Sequence, residues 1–160
     1  MANKKTAVLF VCMGNICRSP TAEGVFAHLA QQAGLLPELE IDSAGTYGYH
    51  SGEPPDYRAQ QAAAARGVDL SGLRARQVEL KDFQRYDYLL AMDRDNFSTL
   101  RRMAPPAHAH KVRLLLDFAP HLLEREVPDP YYGGQQGFER VLDLVEEAAQ
   151  GLLAEVAGKA

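Results

Sequence analysis

Thr6-Ala7-Val8-Leu9-Phe10-Val11-Cys12-Met13-Gly14-Asn15-Ile16-Cys17-Arg18-Ser19-Pro20 is the stretch from which the rest of the chain can be read. An unbroken apolar run, a turn with Gly14 and Asn15, then Ser19 and Pro20 ahead of helically spaced apolar residues reads as strand, loop, helix. The strand is expected over Lys4 to Val11, and its lack of alternation favours a sheet position buried on both faces. Consecutive backbone N–H groups of Met13, Gly14, Asn15, Ile16 and Cys17, in a loop feeding a helix N-terminus, make a concave anion site. Arg18 adds a planar fork able to give two parallel charge-assisted hydrogen bonds. Cys12 then lies at the bottom of the cup, where the groups that bind a phosphate also favour a thiolate nucleophile. A bland alternative makes Cys12 a small buried hydrophobe and Arg18 a surface group. That alternative does not explain an arginine where the helix dipole prefers an anion.

The loop is neither a dinucleotide fingerprint nor an ATP-binding loop. Gly14 is the sole glycine between Val11 and Gly24, and the Gly-Lys-Ser/Thr ending is absent. With 160 residues, the chain is expected to form one domain over residues 1–160, with a core that needs no staples. A net charge of -4 supplies no basic field for nucleic acid, and the acidic excess is concentrated beyond residue 116, so a phosphorylated partner should approach from elsewhere. Cys12 and Cys17 share one loop and would close almost no chain, which points to reduced cytoplasmic thiols with chemistry and not to a disulfide framework. Their spacing, with no second cysteine pair, is poor for zinc, so no metal or cofactor is expected. Lys4 and Lys5 precede a run too short for a signal sequence, and no segment approaches membrane-spanning length; neither export nor a membrane partner is expected.

Ala22, Val25, Phe26, Leu29 and Ala33 recur at helical spacing up to Gly34, with Glu23, His28, Gln31 and Gln32 on the wetter face. Glu38 to Ser43, Tyr86 to Met92 and Val112 to Leu116 read as further strands. Asp56 to Arg66 and Asp93 to about Arg102 read as helices, the latter introduced by its aspartates, and Phe138 to Val156 as a long amphipathic one. Val68 to Glu79 and Met103 to His110 read as connectors, Asp117 to Val127 as irregular chain or a short helix, and Pro128 to Gly134 as a loop. Four strands separated by helices imply an α/β fold: one four-stranded parallel open sheet flanked by helices on both faces, with the phosphate-binding loop between the first strand and the first helix. In such sheets ligands bind beyond the carboxyl ends of the strands, where the Cys12 loop begins.

Together with Asp129-Pro130-Tyr131-Tyr132, this loop resembles the low-molecular-weight protein tyrosine phosphatase family, and the likeness runs from the first strand through the last helix. The resemblance implies a cytoplasmic, metal-independent and cofactor-free enzyme. Its substrates would be phosphotyrosine-containing proteins and small aryl phosphates, with inorganic phosphate as product. Residue by residue, it makes Cys12 the nucleophile, Arg18 the phosphate clamp, Asp129 the general acid and Ser19 a hydroxyl donor to the Cys12 thiolate. It makes Asn15 and Ser43 supports of the loop, Cys17 a reversible disulfide partner of Cys12, and Tyr49, Tyr131 and Tyr132 the walls of an aryl slot. Plain readings stand beside these: Asp129 as a turn residue, Ser19 as a helix cap, Cys17 as a packing residue, and the tyrosines as a cluster over the core. Several charged and tyrosine-bearing loops are compatible with a weak homodimer.

The sequence departs from the family pattern where many members carry a histidine near Ser71; this chain has Gly72-Leu73-Arg74, which throws loop rigidity onto Asn15, Ser19 and Ser43. Asp56-Tyr57-Arg58 stands where bacterial relatives often show Asp-Pro-Arg, a change expected to alter a helix start and leave the chemistry alone. Arsenate reductase chemistry on the same scaffold would need cysteines after Cys17, and there are none. Phosphoarginine phosphatases resemble the loop but typically carry threonine where Ile16 stands, and a bulkier apolar residue should crowd a guanidinium substrate. A noncatalytic phosphate-binding module would need neither a thiol nor a distant acid.

Overall fold

The computed structural model describes residues 4–131 and 134–158. Strand β1 (Thr6–Cys12) lies between β2 (Leu39–Gly45) and β3 (Tyr88–Ala91), with β4 (Val112–Leu114) outside β3, so the order is β2-β1-β3-β4. Every pairing is parallel, with Cys12 opposite Gly45 on one side and Val11 opposite Ala91 on the other. Because successive residues of a strand face opposite sides of the sheet, β1 feeds two cores. Val8, Phe10 and Cys12 pack into a cluster with Phe26 of α1 (Arg18–Gln32) and Leu142 of α5 (Gln135–Ala157). Ala7, Leu9 and Val11 join Phe83 of α3 (Leu80–Arg85) and Leu100 of α4 (Arg94–Met103) on the opposite face. Helix α2 (Tyr57–Ala64) lies on the first of these faces and buries Ala59, Ala62 and Ala63. The expected two-sided burial of the first strand and the parallel four-stranded sheet are thus both present.

From β1 the chain crosses to one side to make β2 and to the other to make β3. The loop leaving Cys12 therefore opens where the strand order reverses, the place in an open parallel sheet where adjacent crossovers diverge and leave a crevice. Helix α1 begins at Arg18, earlier than the apolar periodicity indicated, with Pro20 in its first turn where a missing N–H costs no intrahelical bond. Helix α5 approaches the short 3-10 turn Leu115–Phe118 through Gly151, where a Cβ would stand only 1.9 Å from the Phe118 carbonyl oxygen.

Several elements differ from expectation. Helix α3 follows directly on the connector Val68 to Glu79, in residues with no element expected; it is six residues long and buries only Asp82 and Phe83, too little for a visible period. Its start is set by Asp82, whose carboxylate accepts from the Glu79 N–H at 2.7 Å. Strand β3 consequently begins at Tyr88, because Tyr86 closes that helix. Pro106–Lys111 forms a 3-10 helix within the expected linker, and β4 stops at Leu114 because Leu115 and Leu116 turn inward as part of the next 3-10 turn.

Candidate active site

The loop from Cys12 to Arg18 is held by its carbonyls. Thr46 N–H donates to Cys12 O at 2.9 Å, Tyr47 N–H to Met13 O at 3.0 Å and Asp56 N–H to Ile16 O at 2.7 Å. Gly45 is required beneath it, since a Cβ there would lie 2.7 Å from Met13 O. Asn15 occupies the left-handed region at φ 59°, which a short polar side chain tolerates better than a branched one. Its amide is fully used: Nδ2 donates to Ser19 Oγ at 2.8 Å and to Ser43 Oγ at 2.9 Å, and Oδ1 accepts from the Arg76 N–H at 2.9 Å. The Asn15 N–H points at the Cys12 sulfur, 3.3 Å away, and Ser19 Oγ lies 3.0 Å from the same sulfur. Because Ser19 accepts from Asn15, its own proton goes either to the sulfur at 3.0 Å or to the Ala44 carbonyl at 3.5 Å, and the sulfur is the nearer. No side chain caps the N-terminus of α1 and no acidic residue occupies its first turn, so the helix end is left to whatever anion enters the cup.

Arg18 is buried, with its Nη1 donating to Asp93 Oδ2 at 2.7 Å and to Val127 O at 3.0 Å; Nη2 lies 4.0 Å from Asp129 Oδ2. Burial pulls the guanidinium pKa down, and the neighbouring Cys12 and Asp93 more than restore it, so the net shift is upward and the cation persists. Asp93 is also the cap of α4, accepting from Asn96 N–H at 2.8 Å through its other oxygen. Asp129 is half-exposed, and its Oδ1 accepts from the Tyr131 N–H at 3.0 Å. Burial, followed by the nearby Asp56, pushes the Cys17 thiol pKa far up, which keeps that sulfur protonated.

These groups open into a cleft of about 520 Å³ lined by Cys12 to Gly14, Ile16 to Arg18, Tyr47, Tyr49, His50, Asp129 and Tyr131. Tyr49 is 88% exposed and forms the outer rim, with its ring edge-on to His50 at a centroid distance of 4.9 Å. Ser43 lies below the loop with its hydroxyl donating to Glu23 Oε1 at 2.6 Å. Tyr132 lies outside the described residues. All other residues singled out from the sequence converge on this cleft or on the network under it. Among the described residues, no cluster of three or more potential ligands could hold a metal ion.

Tyr47 and His50 belong to the aromatic loop that the sequence offers as either a recognition wall or a cap over the core, whereas no sequence signal marks Asp93, Glu23, Arg76 or the Val127 carbonyl as parts of the site. Asp93 was legible as a helix cap, but no sequence spacing couples residue 93 to residue 18. Glu23 was placed on the wet face of α1; it turns instead toward Ser43 because β2 passes beneath the start of that helix. The Arg76 N–H serves Asn15, while the Arg76 guanidinium is pinned by Asp42 at 3.0 Å and Asp82 at 3.0 Å.

A thiol beneath a buried cation, with a carboxyl at the rim, is the arrangement of cysteine-dependent phosphate monoester hydrolysis. The family model described as low molecular weight phosphotyrosine protein phosphatase matches residues 7–160. The chain is 42% identical over 150 residues to the low molecular weight protein-tyrosine-phosphatase YfkJ of Bacillus subtilis, covering 94% of this chain and 95% of that one. It is 48% identical over 152 residues to the Streptomyces coelicolor low molecular weight protein-tyrosine-phosphatase, covering 93% and 92%. The solved protein tyrosine phosphatase of Entamoeba histolytica, with Hepes in its active site, superposes with a TM-score of 0.93 at 40% identity, covering 98% of this chain and 100% of that one. The chain belongs to the low molecular weight phosphotyrosine protein phosphatase family. It is a cysteine-dependent, metal-independent hydrolase that acts through a phosphocysteine intermediate.

Burial raises the Glu23 carboxyl from its ordinary 4.5 to about 7, against the hydrogen bond from Ser43. The folded state thus binds this proton more tightly than the unfolded chain, and the associated stability is present below pH 4.5 and lost as pH rises toward 7. Comparing denaturant midpoints of wild type and Glu23→Gln across pH isolates this group. The variant should gain on wild type steadily between about pH 4.5 and 7 and hold constant below; a difference independent of pH would contradict it.

Proposed function

We propose that Cys12 Sγ is the nucleophile, Arg18 the phosphoryl clamp and Asp129 the general acid and base in hydrolysis of phosphotyrosine in proteins and of small aryl phosphates. The observation that carries the reading is the shared position of these three at one cleft, with Asp129 Oδ2 4.0 Å from the Arg18 guanidinium. In the first step the sulfur attacks phosphorus in line, the bond from phosphorus to the tyrosyl oxygen breaks, and Asp129 gives its proton to that oxygen. In the second, Asp129 takes a proton from water, the water oxygen bonds to phosphorus, and the bond to sulfur breaks to return thiolate and inorganic phosphate. The hydrogen bond from Ser19 and the Asn15 N–H both favour sulfur as a leaving anion. Because Asp129 Oδ1 accepts from Tyr131, Oδ2 is the oxygen left to carry the proton. The free Arg18 nitrogens and the loop N–H groups match the equatorial oxygens, where charge spreads in the transition state.

Tyr49 and Tyr131 supply ring faces for an aryl group, with Tyr132 assigned the same role from sequence, and Met13, Gly14 and Ile16 line the phosphate end. The names of the Bacillus and Streptomyces relatives support tyrosine as the substrate side chain. We extend the reading to a single domain over residues 1–160, supported by the family match over residues 7–160, and to a cytoplasmic setting. No described helix is long and apolar enough to cross a membrane. A weak homodimer would use the exposed Tyr47 and Tyr49 at the rim.

Phosphate release from a phosphotyrosine peptide, beside a phosphoarginine peptide, should occur without added metal and with the former alone. Cys12→Ser should abolish release while retaining phosphate binding; turnover near the wild-type rate would refute the nucleophile. Asp129→Asn should lower kcat/KM for phenyl phosphate by about 10²-fold or more and far less for p-nitrophenyl phosphate, whose leaving group needs no proton. Equal losses would remove Asp129 from the acid role.

Cys17, buried beside the nucleophile in the same loop, is proposed as its redox partner. Peroxide would convert the Cys12 thiolate to a sulfenic acid, and the Cys17 thiol would displace water to form the disulfide. Intact mass should show loss of two hydrogens, reversed by dithiol; sulfinic acid accumulating on Cys12 instead would count against it.

A further inference from the structure

The mechanism leaves Arg58 without a task, yet this side chain joins the two loops that must act together. Asp56 caps α2, and Arg58 grips its carboxylate with a planar fork, Nε to Oδ1 at 3.1 Å and Nη2 to Oδ2 at 3.0 Å. The Asp56 N–H donates to Ile16 O at 2.7 Å, so the pair is anchored on the phosphate loop itself. On its other side the Arg58 guanidinium carbon stands 5.4 Å from the ring centroid of Tyr131 and 4.8 Å from that of Phe138, the latter in the first turn of α5. Tyr131 in turn donates its N–H to Asp129 Oδ1.

Among the described residues the cation paired with Asp129 is Arg18, at 4.0 Å, and the Asp129 side chain is half-exposed. Its position over the leaving oxygen therefore depends on where its loop is held. We infer that Arg58 is a positioning residue for the proton-transfer step: it clamps the ring of Tyr131 and so sets the Asp129 carboxyl against the phosphate loop. This rests on the reading of Asp129 as the acid. An arginine suits the task because two in-plane bonds to Asp56 fix the guanidinium plane and leave its faces for aromatic rings, a combination the lysine ammonium cannot reproduce. Asp56 and Arg58 are the two positions this stretch shares with the Asp-Pro-Arg pattern; the departure at Tyr57 lies outside the clamp.

A surface ion pair with no further role would alter all substrates alike; a clamp on the acid would not. The test is kcat/KM for phenyl phosphate and p-nitrophenyl phosphate with Arg58→Met and Arg58→Lys, each alone and combined with Asp129→Asn, and with inhibition by inorganic phosphate as the check on the loop. Both Arg58 variants should lose about tenfold on the poor leaving group and less than about threefold on the good one, with phosphate inhibition kept within about twofold. Combined with Asp129→Asn they should cause no further loss on phenyl phosphate. Equal losses on the two esters, an undiminished loss in the Asp129→Asn background, or full activity of Arg58→Lys would overturn the inference while leaving the acid standing. Absence of any leaving-group effect from Asp129→Asn alone would instead overturn the acid role, and this inference with it.

Discussion

Asn15 holds a left-handed backbone conformation at φ 59° and commits every polar atom of its side chain to Ser19, Ser43 and the Arg76 backbone. The rest of the site depends on this arrangement. The left-handed turn directs the Asn15 N–H at the Cys12 sulfur, and the amide orients Ser19 so that its hydroxyl proton is available to that sulfur. A buried amide with one bond lost would leave an unpaired polar group, at a cost of about 1–3 kcal/mol. The three partners come from α1, β2 and the segment before α3, so the loop shape is enforced by the packing of the whole sheet face and not by local turn preference.

A buried arginine creates the opposite problem, a charge removed from water. Asp93 and the Val127 carbonyl take one nitrogen of Arg18 and fix the plane of the guanidinium, while the side facing the cleft is left for an incoming anion. Asp93 already balances the buried cation, and on the proposed reading that cation grows more effective as negative charge develops on the transferring group. Asp93 does this while capping α4, so the helix that packs against β3 also sets the orientation of the clamp.

The proposed acid is held by different means. Asp129 sits on a loop that contributes neither strand nor helix, tied by a turn hydrogen bond to Tyr131, whose ring lies against Arg58. On the proposed reading, rigid groups from the sheet grip the phosphate, whereas the leaving-group side is built from rings and a half-exposed carboxyl. This division suits an enzyme that must bind one constant phosphate and admit varied protein surfaces around it.

Much of this was legible in the chain itself. The unbroken apolar run of β1, the loop chemistry of Cys12 and Arg18 and the terminal amphipathic helix follow from local pattern, because burial on two faces, anion binding at a helix start and helical periodicity each leave their mark within a few residues. The assignment of Asp129 came from resemblance to a family and not from local pattern, since nothing near Pro130 distinguishes an acid from a turn residue. The partners of the site are not readable from local pattern: Asp93 reads as a helix start, Glu23 as a wet-face residue and Arg58 as part of another helix start. Sequence alone therefore determined the sheet and the loop that carries Cys12 and Arg18. Tertiary structure decided which charges face Arg18, which backbone N–H satisfies Asn15 and what holds the acid. Those contacts join residues tens of positions apart, and only the crossovers of the parallel sheet bring them within hydrogen-bonding distance.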